Sequence, residues 1–395
     1  MRLSLSKGVF YNPQMRFCRS MSSLAVGAIG EKLEVVDAFC ASGIRGIRYA
    51  KENKNVRKLT SLDIEKSAIA LAKKNAKANR VKHEAVVGNV SRMAFGLDAD
   101  FLEIDPFGTP SPYLVDAFRF FNTKKEAYLS VTATDVAVLC GGKTAPCMKN
   151  YHSKPMNNEF THETGLRIML KKIAETAAEF NMGIGPLVSF SDRHYLKAVL
   201  HVKRGADLAY ESMKMLGYVS YCARCGWRGS GKFPEKCQNC RNPEPKTGNI
   251  IRDAGSPLPD AESRVPETMR PSAASSQVPA EPKTDYAGPL WLGGLHEPDF
   301  VRRMAGLNAA RGYSDKEELA GALALMAGET GMPPYYYNVH ALCKLARSAS
   351  VPAMGTVLDS LRAAGHRAVK THFSPICIKT DAPYGAVKEA VGWRS

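Results

Sequence analysis

Between residues 33 and 203, short apolar runs rich in Val, Ile, Leu and Phe alternate with longer stretches whose apolar positions recur at helical spacing. The short runs predict strands at residues 33–39, 58–63, 83–87, 100–105 and 127–134. The longer stretches predict helices at residues 44–53, 64–79 and 160–181. Two further strands, at residues 182–190 and 195–202, are joined through Ser191-Asp192-Arg193 and read as a hairpin. Strand–helix alternation closed by an antiparallel pair predicts a doubly wound, Rossmann-like α/β sheet with helices on both faces.

The pattern changes after a predicted helix at residues 205–217. A cysteine-rich knot spans residues 222–240, and residues 254–285 are rich in Pro, Ser, Ala and charge, as in a flexible linker. Helical periodicity returns at residues 299–308, 315–330, 338–348 and 353–364, followed by two short strands at residues 366–372 and 376–380. Four units follow: a sheet domain over 1–217, a cysteine module over 218–245, a linker over 246–285 and a smaller α/β domain over 286–395.

Charge narrows the choice of partner. The chain of 395 residues carries 54 basic against 38 acidic residues, a net +16. Such an excess favours a polyanion, because phosphate contacts release counterions. No apolar run approaches the ~20 residues of a membrane helix, so no membrane partner is expected. Arg2, Lys7, Arg16 and Arg19 precede the first acid, Glu31, in the manner of a leader peptide. Phe10-Tyr11-Asn12-Pro13 nevertheless predicts a structured turn there. Six scattered cysteines (Cys18, Cys40, Cys140, Cys147, Cys343, Cys377) fit a reducing compartment, hence a cytoplasmic location.

Candidate chemistry collects at the predicted strand ends. The first strand delivers Asp37 into a turn containing Gly43, where a glycine would let a ligand approach the backbone beside a helix start. The turn lacks G-x-G-x-x-G, which disfavours a dinucleotide. Asp63 ends the second strand, where a carboxylate can accept both hydroxyls of a ribose. The third strand leads to Asn89-Val90, whose amide oxygen can accept from an adenine amino group. The fourth delivers Asp105-Pro106-Phe107-Gly108: an acceptor, an aromatic plate and open space. Together these suit a planar base bearing an exocyclic amine, held by stacking and edge hydrogen bonds. Asp135, His162 and Glu163 are further candidates for that pocket.

Cys222-x2-Cys225 and Cys237-x2-Cys240 form two knuckles separated by eleven residues, the pattern of a zinc ribbon. Four thiolates close the tetrahedron, so a structural ion is expected. Arg224, Arg228, Lys232, Lys236 and Arg241 surround it and offer contacts to phosphate.

Taken in combination, Phe10-Tyr11-Asn12-Pro13, the run from Asp37 to Arg48, Asp105 to Pro110, Thr132-Ala133-Thr134-Asp135, Leu139-Cys140-Gly141 and Thr371-His372-Phe373-Ser374-Pro375 resemble the tRNA (guanine-N2)-dimethyltransferases. The resemblance runs from residue 10 to about residue 384, the linker excepted. It implies a class I S-adenosylmethionine-dependent methyltransferase domain and a C-terminal tRNA-binding domain. The implied reaction is dimethylation of N2 of guanine-26, at the hinge between the D and anticodon stems, through a monomethyl intermediate. By position, Arg19, Arg45, Asp63, Asn89 and Val90 would contact S-adenosylmethionine, Asp105 would be the catalytic carboxylate and Phe107 the stacking partner. Asn89 stands where the family often has Asp, and Thr109 replaces a usual Ser. Some relatives lack the four cysteines, in keeping with a structural metal. His372 would order the interdomain surface or meet RNA. Two other readings remain at this point: an amino methyltransferase acting on adenine of DNA or RNA, and a non-catalytic zinc-ribbon RNA-binding protein.

Overall fold

A computed structural model describes residues 1–240, 284–348 and 350–393. Seven strands form the main sheet: β1 (Leu33–Asp37), β2 (Val56–Asp63), β3 (Glu84–Val87), β4 (Phe101–Ile104), β5 (Glu126–Ala133), β6 (Met182–Asp192) and β7 (Tyr195–Arg204). Their spatial order is β3-β2-β1-β4-β5-β7-β6. The first five run parallel, and β7 lies antiparallel to both β5 and β6. The order reverses between β1 and β4, which opens a crevice at their carboxyl ends, the place where such sheets bind ligands.

Alternation along the strands gives the sheet two covered faces. Phe101 and Tyr128 belong to one buried cluster, with helices Arg16–Ile29, Pro298–Ala310 and Lys316–Gly328. Their neighbours Leu102 and Leu129 belong to the other, with helices Leu114–Arg119 and Thr161–Glu179. Each strand residue thus chooses its face by parity.

The helix Arg16–Ile29 is absent from the sequence-based expectation. Its Ser- and Gly-containing sequence has modest helix propensity, and its basic start imitates a leader. Tertiary packing overrides that: Cys18, Met21, Leu24, Ala25 and Val26 are all fully buried. The predicted turn before it is present, as Asn12 accepts from the Gln14 N–H (2.9 Å) and caps a short 3-10 turn at Pro13–Met15.

A second sheet corrects the expected boundaries. The helix placed at residues 205–217 ends at Lys214, and β8 (Leu216–Cys222) follows. It pairs with β9 (Arg228–Gly231) and with β10 (Thr284–Trp291) in the order β10-β8-β9. Thr284 and Asp285, assigned to the linker, are therefore strand residues, paired with Cys222 and Tyr221. Tyr286, Ala287, Leu290 and Trp291, placed by the sequence in the C-terminal domain, supply the strand's apolar surface. The remainder of the expected linker and Arg241 lie outside the described residues. The expected wing is present as β12 (Ala368–Thr371) and β13 (Ser374–Thr380), with a short β11 (Tyr337–Asn338) pairing β13. Cys222, Cys225, Trp227 and Cys237 share one core with Tyr337, Leu342 and Val357, so the cysteine module packs into the C-terminal part.

Candidate active site at the sheet rim

The loop after β1 is held by its neighbours on both sides. Asp37 is buried and its Oδ2 accepts from the Gly46 N–H at 3.1 Å. Burial, reinforced by nearby Glu103 and opposed by Arg45, pushes its carboxyl up to about 7. Asp37 therefore braces the loop from beneath and is not open to the crevice. Gly43 adopts φ +73°, and a Cβ there would lie 2.8 Å from the Cβ of Ala72. That glycine serves a left-handed turn and close helix packing on the side where a Cβ would point.

Four other predicted residues are Asp63, at the end of β2, Asn89 and Val90, just past β3, and Arg19, on the helix Arg16–Ile29. Asp63 accepts the Ala41 N–H on Oδ2 (2.9 Å) and the Glu65 N–H on Oδ1 (3.0 Å). Each oxygen retains a second lone pair. Asn89 Oδ1 accepts from the Ser91 N–H at 2.9 Å and caps the short helix Val90–Met93, with Val90 at its first position. Arg19 donates to the Asn12 carbonyl at 3.0 Å and lies over the Tyr11 ring, 5.1 Å from its centroid. Burial lowers its pKa.

Beneath the rim lies a charged layer in which sequence reasoning had given Glu103 and Lys197 no part. Glu103 is fully buried on β4 and accepts from Lys197 Nζ and from the Tyr49 hydroxyl (2.8 Å). Burial opposes its ionisation, yet Lys197 and Arg45 carry its pKa below the usual range. Lys197 also donates to Thr132 Oγ1 at 2.9 Å. Arg45 lies 3.8 Å from Glu103, donates to Ser22 Oγ (3.2 Å) and pairs directly with Asp105 Oδ2. Burial pulls the Arg45 pKa down, but Asp105 and Glu103 more than offset this and hold it well above its ordinary value. Asp105 thus has one oxygen held from below.

Above it, Phe107 is 77 % exposed and Phe10 55 % exposed, with ring centroids 4.8 Å apart in a T-shaped arrangement. Phe10 was read only as part of a turn; an aromatic beside the Asn-Pro break was the available signal. Gly108 (φ +77°) has open space where a Cβ would point. It is tied to the next strand end, its N–H donating to Thr134 Oγ1 (2.7 Å) and its carbonyl accepting from the Thr134 N–H (3.0 Å). Next comes Asp135, both of whose oxygens lie 2.9 Å from the Tyr151 hydroxyl, which in turn accepts from Thr109 (2.8 Å). Burial raises the Asp135 pKa, with the Tyr151 hydrogen bond opposing.

Glu163, His372 and Arg228 are tied up in buried pairs. Glu163 is fully buried, and its Oε1 accepts from Arg167 (2.9 Å) and Lys379 (2.5 Å). His162 does not cap its helix; its Nδ1 sits 3.4 Å from Ser191 Oγ. His372 has a buried side chain paired with Glu329, which makes it an ordering residue between domains and not an RNA contact. Arg228 is buried against Glu159 and stacks on Tyr337 (4.1 Å to the centroid), so it is not available to phosphate.

The four predicted thiols meet. Cys222 and Cys240 sulfurs are 3.7 Å apart, and those of Cys225 and Cys237 3.5 Å. A tetrahedral zinc with Zn–S near 2.3 Å places its sulfurs about 3.8 Å apart. The Gly226 N–H donates to the Cys222 carbonyl (2.7 Å) at φ +78°, the tight turn a knuckle needs. The donor set and spacing fit a structural zinc.

Compared with known proteins, residues 1–392 match the model of the N2,N2-dimethylguanosine tRNA methyltransferases. The chain belongs to that family. A tRNA (guanine(26)-N(2))-dimethyltransferase of Methanobrevibacter smithii is 31% identical, with 99% of this chain and 92% of the relative aligned. Its counterpart from Thermococcus kodakarensis is 34% identical over 97% of this chain and 93% of its own length. Among solved structures, Trm1 from Pyrococcus horikoshii in complex with S-adenosyl-L-methionine superposes with a TM-score of 0.80 at 26% identity, covering 98% of this chain and 97% of that one. Members of the family thus share this chain's full architecture, C-terminal part included.

Proposed function

We propose that the chain transfers methyl groups from S-adenosylmethionine to the exocyclic N2 of guanine-26 in tRNA, giving the monomethyl and then the dimethyl product. The observation that carries this reading is a carboxylate, Asp105, with one oxygen held by Arg45 at a rim carrying two exposed phenylalanines, in a chain of this family. Nothing at the site favours adenine or a purely structural role.

The residues fit the methyl donor. Asp63 keeps a free lone pair on each oxygen for ribose hydroxyls. Asn89 keeps one on its amide oxygen for the adenine amino group, and Val90, at the start of its helix, presents a main-chain N–H. Asp37, Gly43 and Arg19 shape the loops around it, and Arg45 lies beneath. The donor supplies an electrophilic methyl on a sulfonium.

Guanine N2 is a weak nucleophile because its lone pair is delocalised into the ring. Arg45 occupies Oδ2 of Asp105, leaving Oδ1 to accept a hydrogen bond from the amino group. That bond aligns N2, and the same oxygen takes the proton as positive charge develops on nitrogen. Phe107, with Phe10 packed edge-on against it, offers a face on which the extruded base stacks, which offsets part of the few kcal/mol lost on unstacking. Asp135, one strand over, accepts from guanine N1–H. The open space at Gly108 admits the first methyl group during the second transfer.

The test is mass spectrometry of nucleosides from a tRNA transcript incubated with the purified chain and methyl donor. N2-methylguanosine should appear first and N2,N2-dimethylguanosine later. A transcript carrying adenine at position 26 should remain unmodified; equal methylation of it would refute the assignment.

A further inference from the structure

Three buried side chains meet at the seam between the catalytic sheet and the C-terminal part. His296 precedes the helix Pro298–Ala310, Glu329 follows the helix Lys316–Gly328, and His372 lies between β12 and β13. One ligating atom from each lies within 4.8 Å of the others. The side chains of Glu329 and His372 are 2% and 3% exposed, and His296 is 7% exposed. His372 Nδ1 contacts Glu329 Oε1 at 2.8 Å. Among the described residues, His296 Nε2, His372 Nε2 and Glu329 Oε2 have no hydrogen-bond partner.

Each buried polar atom left unpaired costs about 1–3 kcal/mol, so three in one cluster call for an occupant. Two imidazoles and one carboxylate form the donor set of a borderline divalent cation. The His372–Glu329 contact is the orientation in which a carboxylate fixes a ring and makes its other nitrogen a better ligand. The Ser189 N–H lies 3.5 Å from His296 Nδ1, too far to commit the ring to one tautomer. Lys379 is the competing cation. Its ammonium is engaged by Glu163 (2.5 Å) and the Pro333 carbonyl (3.2 Å) and stays 3.7 Å from Glu329 Oε2.

We propose that His296, Glu329 and His372 bind a second divalent ion, zinc by its donor set, separate from the four-cysteine site and completed by a water molecule. The ion pins the C-terminal helices and wing to the segment that leaves β10. It takes no part in methyl transfer, since its ligands are sealed from the rim.

The full chain, stripped of metal under reducing conditions and titrated with cobalt(II), tests this. Cobalt at the thiolate site gives intense sulfur-to-metal charge transfer. A second cobalt on nitrogen and oxygen adds only weak visible bands after that transition has saturated. Zinc-loaded and desalted, the wild-type chain should retain two ions, and His296→Gln with His372→Gln should retain one while keeping the charge-transfer signature on cobalt loading. Should the double variant fail to fold, the wild-type stoichiometry decides alone. Retention of a single zinc by fully reduced wild type, loss of the second on desalting, or a second ion indifferent to the two histidines would each overturn the proposal and leave the cluster to a buried water.

Discussion

Asp105 and Asp135 stand past the ends of neighbouring parallel strands, yet one meets a cation and the other a phenol. Asp105 is bound by Arg45, which is buried and anchored in turn by Glu103, itself neutralised by Lys197. Asp135 is met by Tyr151, backed by Thr109, and burial raises its pKa. One residue type at one rim has thus been given two environments. A carboxylate fixed by a rigid guanidinium suits a positional task, in which a fraction of an ångström decides whether N2 lines up with the methyl. A carboxylate held by a neutral hydroxyl keeps its acceptor capacity but gives up its charge more readily as pH falls. We assign the reacting carboxylate to Asp105 and the reader of the base edge to Asp135 on this difference.

The largest effect should come from the first corner. Asp105→Ala should lower the methylation rate by ~10²–10⁴-fold, the range for losing a positioned acid–base group. Equilibrium binding of the methyl donor should survive, since Asp63, Asn89 and Val90 are untouched. A rate near wild type by single-turnover assay would erase the distinction between the two aspartates.

Next is the aromatic plate above them. Phe107→Ala should weaken tRNA binding by roughly 10–100-fold, from ~1–3 kcal/mol of lost base stacking. Filter binding with tRNA carrying guanine or an abasic site at the target position sharpens this. The variant should lose most of the preference for guanine, whereas a loss that is the same for both tRNAs would assign Phe107 to the fold instead.

The second corner should give a smaller change with a diagnostic pH dependence. Tyr151→Phe removes one hydrogen bond, worth about 1 kcal/mol, and should slow methylation several-fold. The sign of the pH effect is set by what that bond does. It favours the ionised carboxylate, so its removal lifts the already raised Asp135 pKa further. Acceptance from N1–H needs the ionised form. The acid limb of the rate profile should therefore move to higher pH in Tyr151→Phe and vanish in Asp135→Asn. An acid limb that stays in place in both variants would remove Asp135 from the base pocket.

Much of this rim could be read from residues alone, because each parallel strand announces itself by an apolar run ending in Asp or Asn. Asp63, Asn89 and Asp105 stand at the strand ends where the periodicity placed them. What could not be read were pairings across long stretches of chain. No local pattern says that Arg45 will meet Asp105, or that Lys197 will neutralise Glu103. Burial of charge misled in the same way. Arg228 was counted as a surface cation, but Glu159 and the face of Tyr337 make its burial tolerable. The strand from Thr284 to Trp291 was hidden for a third reason: its partner β8 lies on the far side of residues 241–283, and its first two residues read as linker.

Asp37 carries the contrast between the aspartates to full burial, and its replacement should have the smallest effect on methylation. Its nearest charged neighbours include Glu103 and Asp105 as well as Arg45, and its carboxyl is raised from 3.8 to about 7. A native pKa above the unfolded one means that the native state holds the extra proton. The stability this residue contributes is complete below about 4 and is lost as pH rises through about 7, with a slope of at most about 1.4 kcal/mol per pH unit. Asp37→Asn keeps an oxygen for the Gly46 N–H but has no proton to lose. Its melting temperature should fall furthest below wild type at about pH 4 and approach or exceed it near pH 8, with methylation of tRNA little changed. A constant gap between the two melting curves across that range would mean that Asp37 is ionised in its pocket throughout, and that Arg45 serves three carboxylates rather than two.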